Sequence, residues 1–323
     1  MPTSVYRAPE SRSLQFLYGA AFIFAVILVA SLFGILTRPM GFLAAVWPAN
    51  AILMALMVRN PALSRPECWT AAFLAYVAAD LITGSEPLVT LWLTVANLVG
   101  AAVGYQVYAR LDEDDRRLRT PMSIVSMFCI CAIAAAAIGI VGSGVGTMLF
   151  SRDLLTGFAF WFTTALVNSI IVLPVILAAP PGRTLWNGLR HFEFGKHDWR
   201  PIATLAFTTA GGILVGGPGA FAYPMPALIW CALTYSLFTT SLVTLCFCLV
   251  GLISTATGVI PSFPGNDNLL VTVSVRLAMA LLALAPLAVA IVNGARNDLL
   301  NRLQYIANHD ALTGTLSRRA FLK

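Results

Sequence analysis

Residues 14–36 read LQFLYGAAFIFAVILVASLFGIL, a run of 23 residues with no charged side chain. As a helix it extends about 35 Å, enough to cross a hydrocarbon core of roughly 30 Å. Comparable runs recur outward along the chain, at about 42–58, 67–83, 88–109, 121–142, 155–178, 201–216, 223–237, 239–258 and 270–293. The expected fold is an all-α polytopic membrane protein with about ten transmembrane helices. The composition agrees: 59% of the 323 residues are hydrophobic, 11% are charged, and the mean hydropathy is +0.82. A soluble globular protein, with roughly 25% charged residues, is excluded. Only about thirty residues follow the last run, too few for a large aqueous domain before Lys323. The seventh and eighth runs are short and flank the turn GGPGAF at 216–221. They read as two spans or as a broken, re-entrant pair, and the number of crossings is even either way.

An even number puts both termini on one side. All of the 20 lysines and arginines except Arg38, Arg152 and Arg276 then fall in segments on that side, which the positive-inside rule makes cytoplasmic. The net charge of +6 follows from this topology. Nucleic acid is not an expected partner, because the cations are spread over several short loops. The run after Arg7 and Arg12 is too long for a signal peptide and lacks a small-residue cleavage site, so it reads as the first span. The expected location is a bacterial inner membrane, multi-pass. The loop DEDDRRLR at 112–119 reads as a solvated loop or as a docking surface for a cytoplasmic domain.

Cysteines 68, 129, 131, 231, 246 and 248 lie nearly all in apolar runs and behave there as small hydrophobes. The two C-x-C pairs do not predict a metal site, since helical positions i and i+2 point about 200° apart. His191, His197 and His309 all fall in cytoplasmic segments, which leaves no histidine pair inside the membrane for haem or proton transfer.

The candidate ligand-binding residues are the polar and aromatic groups inside spans: Trp47, Asn50, Asp80, Asn97, Trp161 and Arg276. Asp80 and Arg276 lie at similar depths, roughly 6 and 9 Å from the outer ends of their helices. A charge in a span is costly, so the two either pair with each other or snorkel to the interface. Trp47 and Asn50 in VWPANAI, with Asn97 and Asn168 deeper, either line one outward-opening pocket or act singly as a belt residue and interhelical glue. The ligand is expected to be a small molecule or a lipid. A transporter is the rival class, although no internal repeat is visible.

Beyond the last span, Leu299, Leu303 and Ile306 fall at i, i+4 and i+7 on one face of a helix continuing into the cytoplasm, a candidate dimerising signalling helix. The text that follows, His309-Asp310-Ala311-Leu312-Thr313-Gly314 and then Ser317-Arg318-Arg319, resembles the opening of GGDEF diguanylate cyclase domains, HD-x-LTG-L-x-NRR-x-F. It departs from that pattern at Thr315-Leu316 and at Ser317. With this junction in view, the spans resemble the first class of membrane-associated sensor (MASE) domains. The markers are Trp47-Pro48, Asp80, Asn97, and Trp161 with Pro174. Acidic residues that the family often carries just after the Asn97 position, and between the Trp161 and Pro174 positions, are absent.

The resemblance implies a membrane sensor at 1–295, a signalling helix at 296–309 and the start of a truncated GGDEF-like domain at 310–323. It implies control of cyclic di-GMP synthesis from GTP by a homodimer. Magnesium and GTP belong to the cyclase domain, and no cofactor is expected in this chain. No GG[DE]EF sequence occurs before Lys323, so the 323 residues themselves are expected to lack cyclase activity. A degenerate cyclase domain leading into a cyclic di-GMP phosphodiesterase would open in the same way.

Overall fold

The computed structural model describes residues 10–38, 44–150, 153–181, 198–259, 268–309, 315 and 321. The elements are α1 (Glu10–Leu36), α2 (Ala49–Arg59), α3 (Pro66–Ile82), α4 (Pro87–Tyr108), α5 (Glu113–Arg116), α6 (Ser123–Phe150), α7 (Leu154–Leu177), α8 (Arg200–Val215), α9 (Met225–Thr234), α10 (Leu237–Ala256) and α11 (Asn268–Asn308). Short 3₁₀ turns occupy Pro61–Leu63 and Pro218–Phe221. Six helices are long and apolar enough to cross a membrane: α1, α4, α6, α7, α10 and α11. The segments Ala49–Arg59, Arg200–Val215 and Gly219–Thr234 are shorter apolar helices. Large apolar side chains face outward along the bundle, among them Leu36, Leu74, Ile140, Phe207 and Leu214. That outer surface is suited to lipid.

Local chemistry sets the helix ends. Proline opens α3, α4, α8 and α9, where its missing N–H is no loss. The Asp153 carboxylate caps α7 by accepting from the Thr156 N–H at 3.0 Å and its hydroxyl at 2.6 Å. Those bonds hold the Asp153 carboxyl below the ordinary carboxylate range. After α8 the chain turns through Gly216 and Gly217, at φ +69° and +78°, a left-handed pair that side chains rarely adopt.

Helix α7 sits at the centre and packs against α2, α6, α10 and α11. A second apolar cluster joins α1 and α3 to the opposite side of α2. Nearly every residue of α2 is therefore buried, a pattern that only an enclosed helix shows. Small residues set the close approaches. A Cβ on Gly100 of α4 would lie 2.1 Å from Ile138 Cγ1, and one on Gly104 would lie 2.2 Å from Met54 Sδ. Gly100→Val is expected to cost about 1–3 kcal/mol by overpacking, read as an earlier unfolding midpoint in detergent. A midpoint equal to the parent's would mean that α4 and α6 separate without penalty.

Two expectations change. The second span does not run as a helix over 42–58: helix begins at Ala49, and 44–48 is non-helical. Proline at 48 biases Trp47 away from the helical region and supplies no N–H, so the helix starts only after it. The last helix runs from its span unbroken to Asn308, with Pro286 inside it. Asp80 and Arg276 do not pair, as described next.

Candidate functional site

The non-helical segment 44–48 is the hub of a buried polar network. Its backbone cannot bond to itself in helical fashion, and an unpaired buried N–H or C=O is costly, so side chains supply partners. The Trp47 N–H donates to Asn168 Oδ1 of α7 at 3.1 Å. The Val46 N–H approaches Thr37 Oγ1 at 3.4 Å, and the Ala45 N–H donates to the Thr37 carbonyl at 3.2 Å. The Ala44 carbonyl accepts from Arg276 of α11 at 2.7 Å.

Two branches leave this hub. In the first, Asn50 on the opening turn of α2 accepts from the Tyr76 hydroxyl of α3 at 2.7 Å and from the Trp47 indole at 3.3 Å. Its amide donates to Asn97 Oδ1 of α4 at 2.9 Å. Asn50, Tyr76 and Asn97 are all buried. In the second branch, the Asn168 amide donates to the Thr164 carbonyl at 2.8 Å, and the Thr164 hydroxyl accepts from Arg276 at 2.6 Å. The Arg276 guanidinium also lies 4.4 Å from the Phe160 ring centre, a cation–π contact. It is 3% exposed, and among the described residues no carboxylate lies within ion-pair distance. Its charge is held by a carbonyl, a hydroxyl and a ring face.

The expected Asp80–Arg276 pair is thus replaced by two separate arrangements. Asp80, at the end of α3, meets Arg38 just beyond α1 at 3.5 Å. The physical reason is lateral: α1 packs along α3, whereas α11 packs on α7. Matched depth gives height in the bundle but not position around it. Arg38 also approaches the Trp47 ring, at 5.9 Å, so Asp80 joins the same assembly through Arg38 and Trp47.

Of the sequence candidates, Trp47, Asn50, Asn97 and Arg276 share the network and Asp80 borders it. Trp161 does not join it. The indole packs over Gly142 of α6, where a Cβ would come within 2.9 Å, and against Phe160. Leu299, Leu303 and Ile306 lie on the extension of α11 and are exposed. The His309 ring stacks on Tyr305 with centres 4.0 Å apart. Asp310, Leu312, Thr313, Gly314, Arg318 and Arg319 lie outside the described residues.

Sequence reasoning missed Tyr76, Thr164 and Arg38. Tyr76 carried a signal, since a phenol deep in an apolar span needs an acceptor and Asn50 could supply one. Thr164 carried none, because helical threonines usually bond to their own backbone. Thr90 and Thr94, two buried threonines on the α4 face that also bears Asn97, have hydroxyls without hydrogen-bond partners among the described residues. Among the described residues, no group of three or more His, Cys, Asp or Glu side chains could hold a metal ion.

No protein-family model matches the chain, and no solved structure matches it. Among curated proteins, it is 27% identical over 319 residues to the probable diguanylate cyclase DgcF of Escherichia coli O157:H7, covering 98% of this chain and 66% of that relative. It is 30% identical over 162 residues to the probable diguanylate cyclase DgcF of Escherichia coli strain K12, covering 50% of this chain and 49% of that relative. The chain spans about two thirds of the length of one curated relative and half of the other. Nearly the whole of this chain, whose described elements are all helices, is thus similar to part of a probable diguanylate cyclase.

Proposed function

We propose that the chain is the sensory module of a bacterial inner-membrane protein that controls cyclic di-GMP synthesis. In this reading it crosses the membrane ten times, with both termini cytoplasmic, as a MASE-type domain. The network around 44–48 receives a small-molecule or lipid signal, and α11 carries the response to a C-terminal diguanylate cyclase. The cyclase domain binds magnesium and GTP and acts as a homodimer.

The observation that carries this reading is the continuity of α11. One helix of 41 residues, Asn268–Asn308, carries Arg276 in the network near one end and stops at the other just before the segment that resembles a GGDEF opening. A ligand that favours one arrangement of Arg276, Thr164 and Ala44 over another shifts the population of α11 positions by its difference in affinity. The similarity to a probable diguanylate cyclase over 98% of the chain supports the output.

The test is biochemical. The complete reading frame, purified in nanodiscs with magnesium and GTP, is expected to make cyclic di-GMP, and residues 1–323 alone are expected not to. A Leu303→Cys variant of the complete protein is expected to form a disulfide-linked dimer under mild oxidation. A complete protein that only hydrolyses cyclic di-GMP would assign the module to a phosphodiesterase. A solute gradient driven by the purified chain would make it a transporter.

A further inference from the structure

At the end of the bundle opposite Asp80, a cavity of about 900 Å³ lies between the end of α2, helix α5, the end of α7, the start of α10 and one face of α11. Four arginines border it, Arg59, Arg116, Arg117 and Arg119, against the carboxylates of Glu113 and Asp298. Three of the arginines are engaged. Arg117 pairs with Glu113 at 2.9 Å and Arg119 with Asp114 at 3.4 Å. Arg59 donates to the carbonyls of Ile176, Ala179 and Pro180, which closes off the carbonyl end of α7.

Arg116 is different. Its side chain makes no ion pair or hydrogen bond among the described residues, and its Nε is buried without a partner. The positive end of a 20-residue helix lies in the same cavity. At the start of α10, Ser236 accepts from the Thr239 N–H at 3.3 Å. The N–H groups of Leu237 and Phe238, both lining the cavity, have no acceptor within their helix. A guanidinium without a partner among the described residues, lining one cavity together with the amino end of a helix, is suited to tetrahedral oxyanions. The volume far exceeds a halide's need.

We infer that this cavity binds a phosphate-bearing anion, the headgroup of an anionic phospholipid or a free diphosphate, between Arg116 and the start of α10. One wall is α11 itself. Ala290, Gly294 and Asp298 recur every fourth residue and present one face of that helix to the cavity. An anion seated there meets the Asp298 carboxylate, which has no ion-pair partner among the described residues. Occupancy therefore bears on α11 where the helix leaves the bundle. The inference stands apart from the cyclase reading, because its test reads binding alone.

The experiment uses the 323-residue chain in nanodiscs. Inorganic pyrophosphate is titrated into phosphatidylcholine discs, and in a second arm the discs contain a rising fraction of phosphatidylglycerol; thermal unfolding is read in both. Stabilisation by pyrophosphate marks a free diphosphate as the source, and stabilisation only by phosphatidylglycerol marks a lipid headgroup. In either case Arg116→Gln is expected to weaken the apparent affinity about tenfold, equivalent to about 1.4 kcal/mol. Arg110→Gln removes the same charge from an exposed position outside the cavity and is expected to change it little. Asp298→Asn, at an exposed residue, is expected to tighten binding about two- to threefold by removing a like charge. It keeps the test open should Arg116→Gln fail to fold. Absence of stabilisation in both arms, equal effects of the Arg116 and Arg110 variants, or no tightening by Asp298→Asn would each overturn the inference.

Discussion

Asn50→Leu is expected to destabilise the bundle by about 3–5 kcal/mol, a large share of the stability of most domains. Leucine keeps the branched shape of asparagine with two methyls in place of the amide oxygen and nitrogen, so most of the loss does not come from an emptied site. It comes from what is left behind. The Tyr76 hydroxyl loses its acceptor, Asn97 Oδ1 loses its donor, and the Trp47 indole loses a weaker acceptor. The first two groups are buried, and lipid outside the bundle offers no replacement. Each orphaned group costs about 1–3 kcal/mol. Tyr76→Phe in the Asn50→Leu background removes one orphan and should restore about 1–2 kcal/mol, although the same change in the parent is destabilising. Unfolding of the four proteins in mixed micelles of denaturing detergent gives the cycle. Strictly additive losses would mean that Asn50 and Tyr76 are not coupled.

The second large effect is expected in output. Inserting two alanines after Asn297 turns everything beyond it by about 200° around the axis of α11, while inserting seven restores the phase to within about 20°. Leu299, Leu303 and Ile306 are exposed along one stripe of this helix. If that stripe sets how two cyclase domains face one another, phase matters and added length does not. Cyclic di-GMP in cells carrying the complete protein is expected to shift about tenfold with the two-residue insertion, and to return near the parent level with seven. A tenfold change corresponds to about 1.4 kcal/mol of altered equilibrium, within reach of a rotated helix interface. Output indifferent to phase, or declining steadily with insert length, would show that α11 acts as a tether.

The helices were legible because a run of apolar residues long enough to cross a membrane has few other uses. The run 155–178 and the helix Leu154–Leu177 differ by one residue at each end. Hydropathy reads side chains and is blind to backbone direction, so the apolar text around residues 44–48 looked helical. Only Pro48 hinted at the break. The polar residues of the site were legible for the same reason as the spans: Asn50, Asn97 and Arg276 stand out against apolar neighbours. Their partners were not. Which residue meets which depends on how helices are arranged around α7, and a single sequence encodes that arrangement in packing details such as the Gly100–Ile138 contact. Arg38 illustrates the gap. Its position just past a span suggested a loop cation, yet the packing of α1 beside α3 brings it to Asp80.

Pro286 gives α11 a lever geometry. Lacking an N–H, it leaves the Leu282 carbonyl without its helical donor, so the helix is most compliant there. Asn308 lies 22 residues beyond, an arm of about 33 Å, while Arg276 lies only about 15 Å before it. A tilt of about 5° at Pro286 carries the end of the arm through about 3 Å, close to the radius of the helix backbone. Displacements near Arg276 too small to disturb the packing around α7 thus become, at the far end of the arm, as large as the separation that decides whether two side chains touch.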